Sequence, residues 1–261
     1  MIVDTDQAKR KKIQDNFVSM HNVGVRFGRV TALDNVDFFI GRNEVVGLLG
    51  DNGAGKSTLI KCLNGFYKAT SGHIYVDGKL ANFNSPADAR DAGIETAYQD
   101  LALVNLMTIS RNFFLGRELT KKIGPLTFLD HKKMDEISAR SLADVGLKNI
   151  RAMHESVNFL SGGERQAIAI GRASYFGAKL LILDEPTAAL SVTETEWVLR
   201  LVKEAKESGL SVILISHNAY EVYDVSDRFV VLEHGKNSSN IYKEDTDPKE
   251  LIEIIAGRIK K

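Results

Sequence analysis

Apolar and polar positions alternate along the first part of the chain, which is the period of strands with one buried face. Asn16 to Phe27 and Val30 to Ile40 show this alternation on either side of the Gly28-Arg29 turn, and they predict an antiparallel pair. His73 to Val76 then leads into Asp77-Gly78, a dipeptide typical of a hairpin turn. More antiparallel strand is therefore expected there.

The last third of the chain has continuous apolar runs separated by helical periods. The predicted strands are Lys179 to Leu183, Ser211 to Ser216 and Phe229 to Leu232, and the predicted helices are Val192 to Lys206 and Asn218 to Val225. Runs without alternation are typical of a parallel sheet that helices cover on both faces. This last third of the chain therefore predicts an α/β core, and Asp247-Pro248 predicts the start of a final helix.

Between these regions the apolar period is that of helices. Ser110 to Leu115 and Lys133 to Val145 show it, and a loop is expected around Gly124-Pro125. A short helix from Ser85-Pro86 to Ala92 and a buried strand from Gly93 to Tyr98 precede this region. The pattern predicts a helical subdomain over residues 100–160.

The strongest motif is GDNGAGKST, Gly50 to Thr58, which follows an apolar run and precedes a helix-like segment. It satisfies G-x-x-x-x-G-K-[ST], whose backbone N–H groups surround a polyphosphate. Gly53 and Gly55 allow the positive φ that this turn needs, and the next helix directs its positive dipole end at the phosphates. Lys56 is predicted to reach the β- and γ-phosphates and Ser57 to bind Mg²⁺. A glycine-rich turn that merely ends a strand is the alternative, and the flanking elements argue against it.

A second motif, LLILDEPT from Leu180 to Thr187, places two carboxylates at the end of a buried strand. Buried carboxylates without partners cost several kcal/mol, so a cation or a positioned water is the usual justification. Beside a P-loop, Asp184 is predicted to hold Mg²⁺ through its water shell and Glu185 to polarise the water that attacks the γ-phosphate. Two exposed acids at a strand end are the simpler alternative.

The third motif, LSGGERQ from Leu160 to Gln166, has two interpretations. Ser161 and Glu164 fit an S-x-x-E capping box, which explains both as the start of a helix. The two glycines are not needed by a helix, where each costs about 1 kcal/mol, unless something approaches the backbone closely. A phosphate is such a group, and one chain has one P-loop to cover. Two chains facing each other are therefore the economical arrangement.

Composition narrows the class of protein. The chain has 261 residues, 44% of them hydrophobic, which suffices for one large α/β domain or two small ones. Lys plus Arg and Asp plus Glu both number 34, so no excess positive charge favours nucleic acid. No apolar run would span a bilayer and the N-terminal segment lacks the apolar core of a secretory signal, so a cytosolic chain is expected. The single cysteine, Cys62, lies among apolar residues and fits a buried side chain better than a nucleophile.

With LSGGERQ beside GDNGAGKST and LLILDEPT, the sequence resembles the nucleotide-binding subunits of ATP-binding cassette (ABC) transporters. The ordered set of motifs makes the resemblance specific, since a P-loop alone admits other NTPases. It implies an α/β P-loop NTPase of the ABC type, with a mostly parallel central sheet, an antiparallel β subdomain and an inserted helical subdomain. The expected parts of this single domain are a flexible tail at 1–15, the antiparallel part and P-loop core at 16–99, the helical subdomain at 100–160, the signature helix at 161–174, and the remaining RecA-like core with its C-terminal helix at 175–261.

The resemblance also implies roles for individual residues. Phe27 is similar to the aromatic residue that stacks on adenine, although tyrosine is more usual there. Gln99 is similar to the loop glutamine that contacts Mg²⁺ and senses the membrane subunit, and His217 to the switch histidine that contacts the γ-phosphate. A histidine closing a buried strand as plain structure is the alternative. The implied ATP-binding residues are Phe27, Gly50, Asp51, Asn52, Gly53, Ala54, Gly55, Lys56, Ser57, Thr58 and Gln99; the catalytic residues are Glu185 and His217; the metal site is Ser57, Gln99 and Asp184; and the contacts to the opposite subunit's ATP are Ser161, Gly162, Gly163 and Gln166.

The implied activity is ATP hydrolysis, with ATP and Mg²⁺ as cofactors, coupled to solute transport. FGRVTALDNVDF and DEPTAALSV are most similar to subunits that import monosaccharides such as ribose, xylose or fructose. The implied partners are a second ATPase subunit in a homodimer or pseudo-dimer, membrane permease subunits and an extracytoplasmic sugar-binding protein, with no nucleic acid. The expected location is peripheral, on the cytoplasmic face of the cell membrane. The segment from Gln99 to Leu115, with Phe113 and Phe114, is expected to carry motion to the permease, unless the two phenylalanines are core residues.

One loop departs from the family pattern. After Thr187 the family often has S-A-L-D, whose aspartate acts across the dimer, whereas this chain ends the same loop with Ser191. Ser191 and Glu194 fit another capping box, so a local role is the alternative to cross-dimer coupling.

Three other functions share part of this pattern. An exporter ATPase, or one serving an importer of another small solute, has the same catalytic motifs and differs in its partner. An ABC protein acting on nucleic acid fits less well, because residues 99–161 are too short for a long coiled coil and the net charge is zero. A regulatory module that binds ATP with little hydrolysis is disfavoured by Glu185 and His217.

Overall fold

The computed structural model describes residues 15–98, 103–147 and 152–259, whose strands form three sheets. The strands are β1 (Val18–Phe27), β2 (Val30–Ile40), β3 (Val45–Leu49), β4 (Ser71–Val76), β5 (Lys79–Leu80), β6 (Ile94–Ala97), β7 (Thr120–Ile123), β8 (Leu126–Leu129), β9 (Leu180–Asp184), β10 (Ser211–Ile215), β11 (Arg228–Glu233) and β12 (Lys236–Tyr242). The α-helices are α1 (Lys56–Leu63), α2 (Pro86–Asp91), α3 (Ile109–Phe113), α4 (His131–Asp144), α5 (Gly162–Tyr175), α6 (Val192–Glu207), α7 (Ala219–Val225) and α8 (Pro248–Ile255).

The first sheet is antiparallel, with the strand order β2-β1-β4-β5. The predicted pairing of the first two strands is confirmed, with Val18 opposite Ile40. The predicted hairpin at Asp77-Gly78 is confirmed as well, because both residues have positive φ, 52° and 73°, and Val76 lies opposite Lys79.

The second sheet is mostly parallel, with the strand order β12-β11-β3-β10-β9-β6. All residues of β3 and β10 are buried, as the continuous apolar runs predict. Strands β3, β10 and β9 are neighbours, and Ile215 pairs with both Leu48 and Asp184. The carboxyl ends of these three strands therefore meet at one edge, where α/β sheets bind ligands.

Strand β12 was not predicted, and it is the antiparallel edge of this sheet. Its sequence, KNSSNIY, has few of the apolar and β-branched residues that signal a strand. It pairs because β11 offers a free edge across the tight turn at His234-Gly235, where both residues have positive φ.

The middle of the chain contains the expected helices α3, α4 and α5, but the loop expected around Gly124-Pro125 is the turn of a hairpin between β7 and β8. Gly124 has a φ of 60° there, and the flanking TKKI and LTFL contain the strand-forming residues Thr, Ile and Phe. Phe113 and Phe114 are fully buried and pack on Tyr175 and Phe176. They are core residues, whose side chains are not exposed at the surface of this chain.

Two smaller expectations are also answered. Cys62 is buried, and burial raises the pKa of its thiol to about 11, which fits a core residue and not a nucleophile. Among the helices of the described ranges, none combines the length and the apolar character needed to cross a bilayer.

Candidate functional site

The loop between β3 and α1 depends on three glycines with positive φ, Gly50, Gly53 and Gly55, at 138°, 81° and 105°. A Cβ on Gly50 would lie 2.2 Å from the carbonyl oxygen of Leu232, and one on Gly55 would lie 2.8 Å from Leu33. A Cβ on Gly53 would have no heavy atom within 4 Å. Two glycines are thus required by close packing, and the third leaves an open approach to the loop. The positive φ predicted for Gly53 and Gly55 is confirmed, and the same need at Gly50 was missed.

Lys56 lies at the first position of α1 and folds back over this loop. Its Nζ donates hydrogen bonds to the carbonyl oxygens of Gly50 and Asp51, at 2.6 and 3.0 Å. Burial lowers the pKa of Lys56, and the nearby carboxylates of Glu185 and Asp184 oppose that shift. The ammonium group of Lys56 therefore lies beside the N-terminus of α1. An anion bound there would be stabilised by both the ammonium and the helix dipole.

Asp184 is the last residue of β9 and Glu185 follows it, so two carboxyl groups are adjacent in sequence. Burial, followed by the negative charge of Glu185, raises the pKa of Asp184, and Lys56 partly offsets this effect. The electrostatics therefore favour a cation at Asp184. Ser57, on the first turn of α1, lines the same cavity as Asp184. A carboxylate and a hydroxyl beside a phosphate pocket are a ligand set that suits Mg²⁺.

Glu185 itself has an unusual backbone, with a φ of 52°. A left-handed conformation at a residue other than glycine costs about 1 kcal/mol or more and is common at active sites. The N–H of Glu185 donates to the carbonyl oxygen of Ile215, at 2.9 Å. Its Oε2 lies 2.8 Å from Nδ1 of His217, which follows β10 and has 78% of its side chain exposed, against 18% for Glu185. The structure thus brings the predicted base and the predicted switch histidine into one hydrogen-bonded pair.

These residues surround a cavity of about 640 Å³, a volume within the usual range of ligand pockets. Residues 52–58 line it together with Asp184, Glu185 and His217. Sequence reasoning missed the part of its wall that Thr31, His234 and Gly235 contribute. The only sequence signal for that wall is the turn-forming pair His234-Gly235.

Four predicted nucleotide residues, Phe27, Gly50, Asp51 and Gln99, are not among the described residues that line this cavity. Asp51 lines a neighbouring cavity. Phe27 is 45% exposed and lies edge-on to Tyr67, with ring centroids 5.0 Å apart, outside the lining of the main cavity. Gln99 lies outside the described residues, so its roles toward Mg²⁺ and the membrane subunit stay predictions.

The predicted capping box at the start of α5 is confirmed: Ser161 Oγ accepts from the N–H of Glu164, and Glu164 Oε2 accepts from the N–H of Ser161. The structure adds a second explanation for the two glycines, and the contact with a phosphate stays a prediction. A Cβ on Gly162 would lie 2.3 Å from Leu190, and one on Gly163 would lie 2.9 Å from the ring of Trp197. Side chains of the same chain therefore already make the close approach that was attributed to a phosphate.

The other members of this motif differ in exposure. Ser161 is exposed, whereas Gln166 is buried, and its Oε1 has no hydrogen-bond partner among the described residues. None of residues 161–166 is among the described residues that line the P-loop cavity. One chain therefore does not bring its own motif to its own P-loop.

The second capping box is also confirmed. The hydroxyl and N–H of Ser191 donate to Glu194 Oε2, at 2.7 and 3.0 Å, and these bonds lower the pKa of Glu194. Ser191 thus has a local role at the start of α6.

Comparison with known proteins gives consistent matches. The model of the family described as ABC transporter matches residues 33–188. The xylose/arabinose import ATP-binding protein of Sulfolobus acidocaldarius is 48% identical, over 93% of this chain and 94% of its own. The fructose import ATP-binding protein of Rhizobium meliloti is 40% identical, over 94% and 95%. A ribose import ATP-binding protein of Caldanaerobacter subterraneus subsp. tengcongensis is 37% identical over 92% of this chain, which spans only 48% of that protein.

Solved structures resemble the fold over most of its length. An ATP-binding cassette of an ABC transporter in its ADP conformation has a TM-score of 0.78 and 27% identity, covering 93% of this chain and 99% of its own. A dimeric cassette in a post-hydrolysis state, bound to ADP and Pi, has a TM-score of 0.71 and 25% identity, covering 87% and 98%.

Proposed function

Because this chain belongs to the ABC transporter family and is one of its ATPases, we propose that its ATP hydrolysis powers the import of a monosaccharide. One observation carries the proposal: a single cavity combines a phosphate-binding loop, a lysine, two carboxyl groups and a histidine. The sugar is suggested by the relatives named for the import of xylose or arabinose, fructose and ribose.

Each residue assigned to the nucleotide site has a proposed task. The backbone N–H groups of residues 50–58 and the ammonium of Lys56 bind the phosphates. Asp184 and Ser57, with Gln99, would hold Mg²⁺, which neutralises phosphate charge when bound. Glu185 takes the proton of the attacking water, and His217, oriented by Glu185, donates to the γ-phosphate. Phe27 would stack on adenine from outside the cavity.

We further propose that hydrolysis needs two chains. The N-terminus of α5, with Ser161, Gly162, Gly163 and Gln166, would cover the γ-phosphate of the opposite chain. None of these four residues is among the described residues that line the P-loop cavity of their own chain, which favours this arrangement. The similar cassette whose structure is dimeric favours it as well. Homodimerisation is the simplest form, and a double-length relative suggests that a pseudo-dimer is the alternative.

The proposed membrane partner would dock beside Gln99. Tyr98, the described residue that precedes Gln99 in the sequence, lines a cavity of about 280 Å³ together with Arg90, Arg117 and Arg172. Arg117 pairs there with Glu95 at 3.0 Å. Leu106, a few residues after Gln99 in the sequence, has 87% of its surface exposed. Excess positive charge and an exposed leucine suit an acidic, partly apolar segment of a permease. An extracytoplasmic sugar-binding protein would complete the complex, with this chain peripheral on the cytoplasmic face.

The decisive test is reconstitution. The chain is purified together with its membrane subunits, and uptake of xylose, arabinose, fructose and ribose is measured with and without ATP. ATP-dependent uptake of one of these sugars is the expected result, whereas efflux of the sugar or uptake of an unrelated solute would refute sugar import.

Complementation tests the shared site. Lys56→Ala and Ser161→Arg are expected to be inactive separately, because each destroys both sites of its own dimer. In a mixture, heterodimers carry one intact site, so partial activity should return. An inactive mixture with confirmed heterodimers would contradict a site shared between chains.

A further inference from the structure

One carboxylate outside the assigned catalytic groups connects the two loops that carry them. Glu221, on α7, accepts a hydrogen bond from the hydroxyl of Thr187 to its Oε2 at 2.5 Å, and one from Nδ2 of Asn218 to its Oε1 at 2.7 Å. Thr187 is two residues after Glu185, and Asn218 immediately follows His217. Each oxygen of Glu221 therefore holds a different catalytic loop.

These loops need such a connection. The ring of His217 is mostly exposed, so surrounding atoms do little to restrict its orientation. Glu185 has a strained backbone, and the loop that follows it contains another left-handed residue, Ala189, with a φ of 64°. The 2.8 Å distance between Glu185 Oε2 and His217 Nδ1 thus depends on how the two loops are anchored behind it.

Glu221 also fixes the orientation of the Asn218 side chain. A carboxylate only accepts hydrogen bonds, so the amide must turn its NH₂ group toward Glu221. Oδ1 of Asn218 then faces α7, where it accepts from the N–H groups of Tyr220 and Glu221 at 3.1 and 3.5 Å. The start of α7, and with it the end of the loop that carries His217, is set by this arrangement.

We propose that Glu221 is a positioning residue for ATP hydrolysis, which keeps Glu185 and His217 within hydrogen-bonding distance by anchoring Thr187 and Asn218. The inference rests on the proposed roles of Glu185 and His217. It assigns Glu221 no contact with the nucleotide, so its loss is expected to slow the chemical step and leave ATP binding unchanged.

Two substitutions separate positioning from simple packing. Glu221→Leu keeps the approximate volume and removes both acceptors, and kcat is expected to fall about 10- to 100-fold with little change in KM for ATP. Glu221→Gln can rescue, because its Oε1 accepts from Asn218 and its NH₂ donates to the Thr187 hydroxyl, which can act as an acceptor. Near-normal kcat in the glutamine variant is expected.

A matched control comes from the same helix. Asp224 is exposed and pairs with Lys203 at 2.8 Å, away from the catalytic loops, so Asp224→Leu should leave kcat unchanged. Thr187→Val removes one of the two anchors and serves as a milder variant if Glu221→Leu does not fold. Combined with Glu221→Leu, it should add little further loss, because both changes break the same connection.

The outcomes are distinct. A crystal structure of the leucine variant should show Glu185 and His217 too far apart to form a hydrogen bond, whether or not the sugar proposal holds. Normal kcat in both the leucine and the valine variants, or an equal loss in the glutamine variant, would overturn the inference. If Glu185→Gln also retains full activity, the proposed catalytic roles fail instead, and the two failures are thereby told apart.

Discussion

Replacement of Glu185 by glutamine is the sharpest test of the catalytic assignment. Glutamine has nearly the same shape, can keep a hydrogen bond to His217, and has the same backbone preference at a φ of 52°. The substitution therefore removes the base and one negative charge with little change in geometry.

The expected size of the effect follows from that loss. A positioned general base accelerates a reaction by about 10²- to 10⁴-fold. This corresponds to about 3 to 5 kcal/mol of activation free energy. Nucleotide affinity should persist, because Lys56 and the loop of residues 50–58 are untouched, and removal of a carboxylate beside the phosphate site reduces repulsion. A closed dimer should then accumulate with ATP.

The assay measures three quantities on the full-length chain: phosphate release, nucleotide affinity by titration, and dimer content with ATP by gel filtration. Glu196→Gln is the matched control, since Glu196 lies on α6, outside the residues that line the P-loop cavity. Turnover within about threefold of the wild type, a loss of about 0.65 kcal/mol, would exclude Glu185 as the base.

Three further substitutions test the site around this base. Lys56→Ala should abolish tight nucleotide binding, and unchanged affinity in a titration would contradict the phosphate assignment. Gly47→Ala places a Cβ 2.2 Å from Val222, so overpacking between β3 and α7 should cost about 1–3 kcal/mol, seen as a lower Tm in calorimetry. Asp184→Asn should raise the unfolding free energy of the nucleotide-free protein at neutral pH. The reason is that the pKa of Asp184 is raised in the fold by burial and by Glu185, so its ionisation destabilises the fold above that pKa and has no effect below the unfolded pKa. A pH series of denaturant unfolding checks that sign, and an equal gain at pH 3 would contradict it.

The order of apolar runs predicted most of the sheet architecture, because a strand buried on one face alternates apolar and polar residues and a strand buried on both faces is continuously apolar. It failed where a strand depends on its neighbour. The polar sequence of β12 becomes a strand only because β11 offers an edge. The predicted strand begins at Phe229, yet the charged Arg228 is fully buried in β11 and donates to Glu44 and to the carbonyl oxygen of Phe39. These hydrogen bonds of Arg228 join residues that are far apart in sequence, so a local sequence pattern does not predict them.

Within the candidate site, too, the sequence predicted some residues and missed others. Motifs identified the P-loop, both acids and the histidine, because each chemistry needs particular residue types at fixed spacing. They did not identify Glu221, whose role depends on two partners from different loops, or the reason for Gly162 and Gly163. A glycine pair indicates that another group lies close to the backbone at these positions. The three-dimensional structure identifies Leu190 and Trp197 as neighbours.

This second explanation of the glycines changes which observations support a site shared between two chains. If Leu190 and Trp197 explain why Gly162 and Gly163 are glycines, these residues are no longer evidence for a site shared between chains. The evidence is instead the exposure of the catalytic residues to water. The chain alone already holds Lys56 over its loop and pairs Glu185 with His217, yet 78% of the histidine side chain is open to water. Interactions with a developing phosphate charge strengthen when water is excluded and the effective dielectric constant falls. A chain that covered this cavity would therefore accelerate hydrolysis even without new catalytic groups. The helix N-terminus at Ser161 would add its dipole to that effect. Hydrolysis would thus depend on dimer formation, because the second chain would cover the cavity and exclude water from it. Glu221 would keep Glu185 and His217 aligned in the covered site.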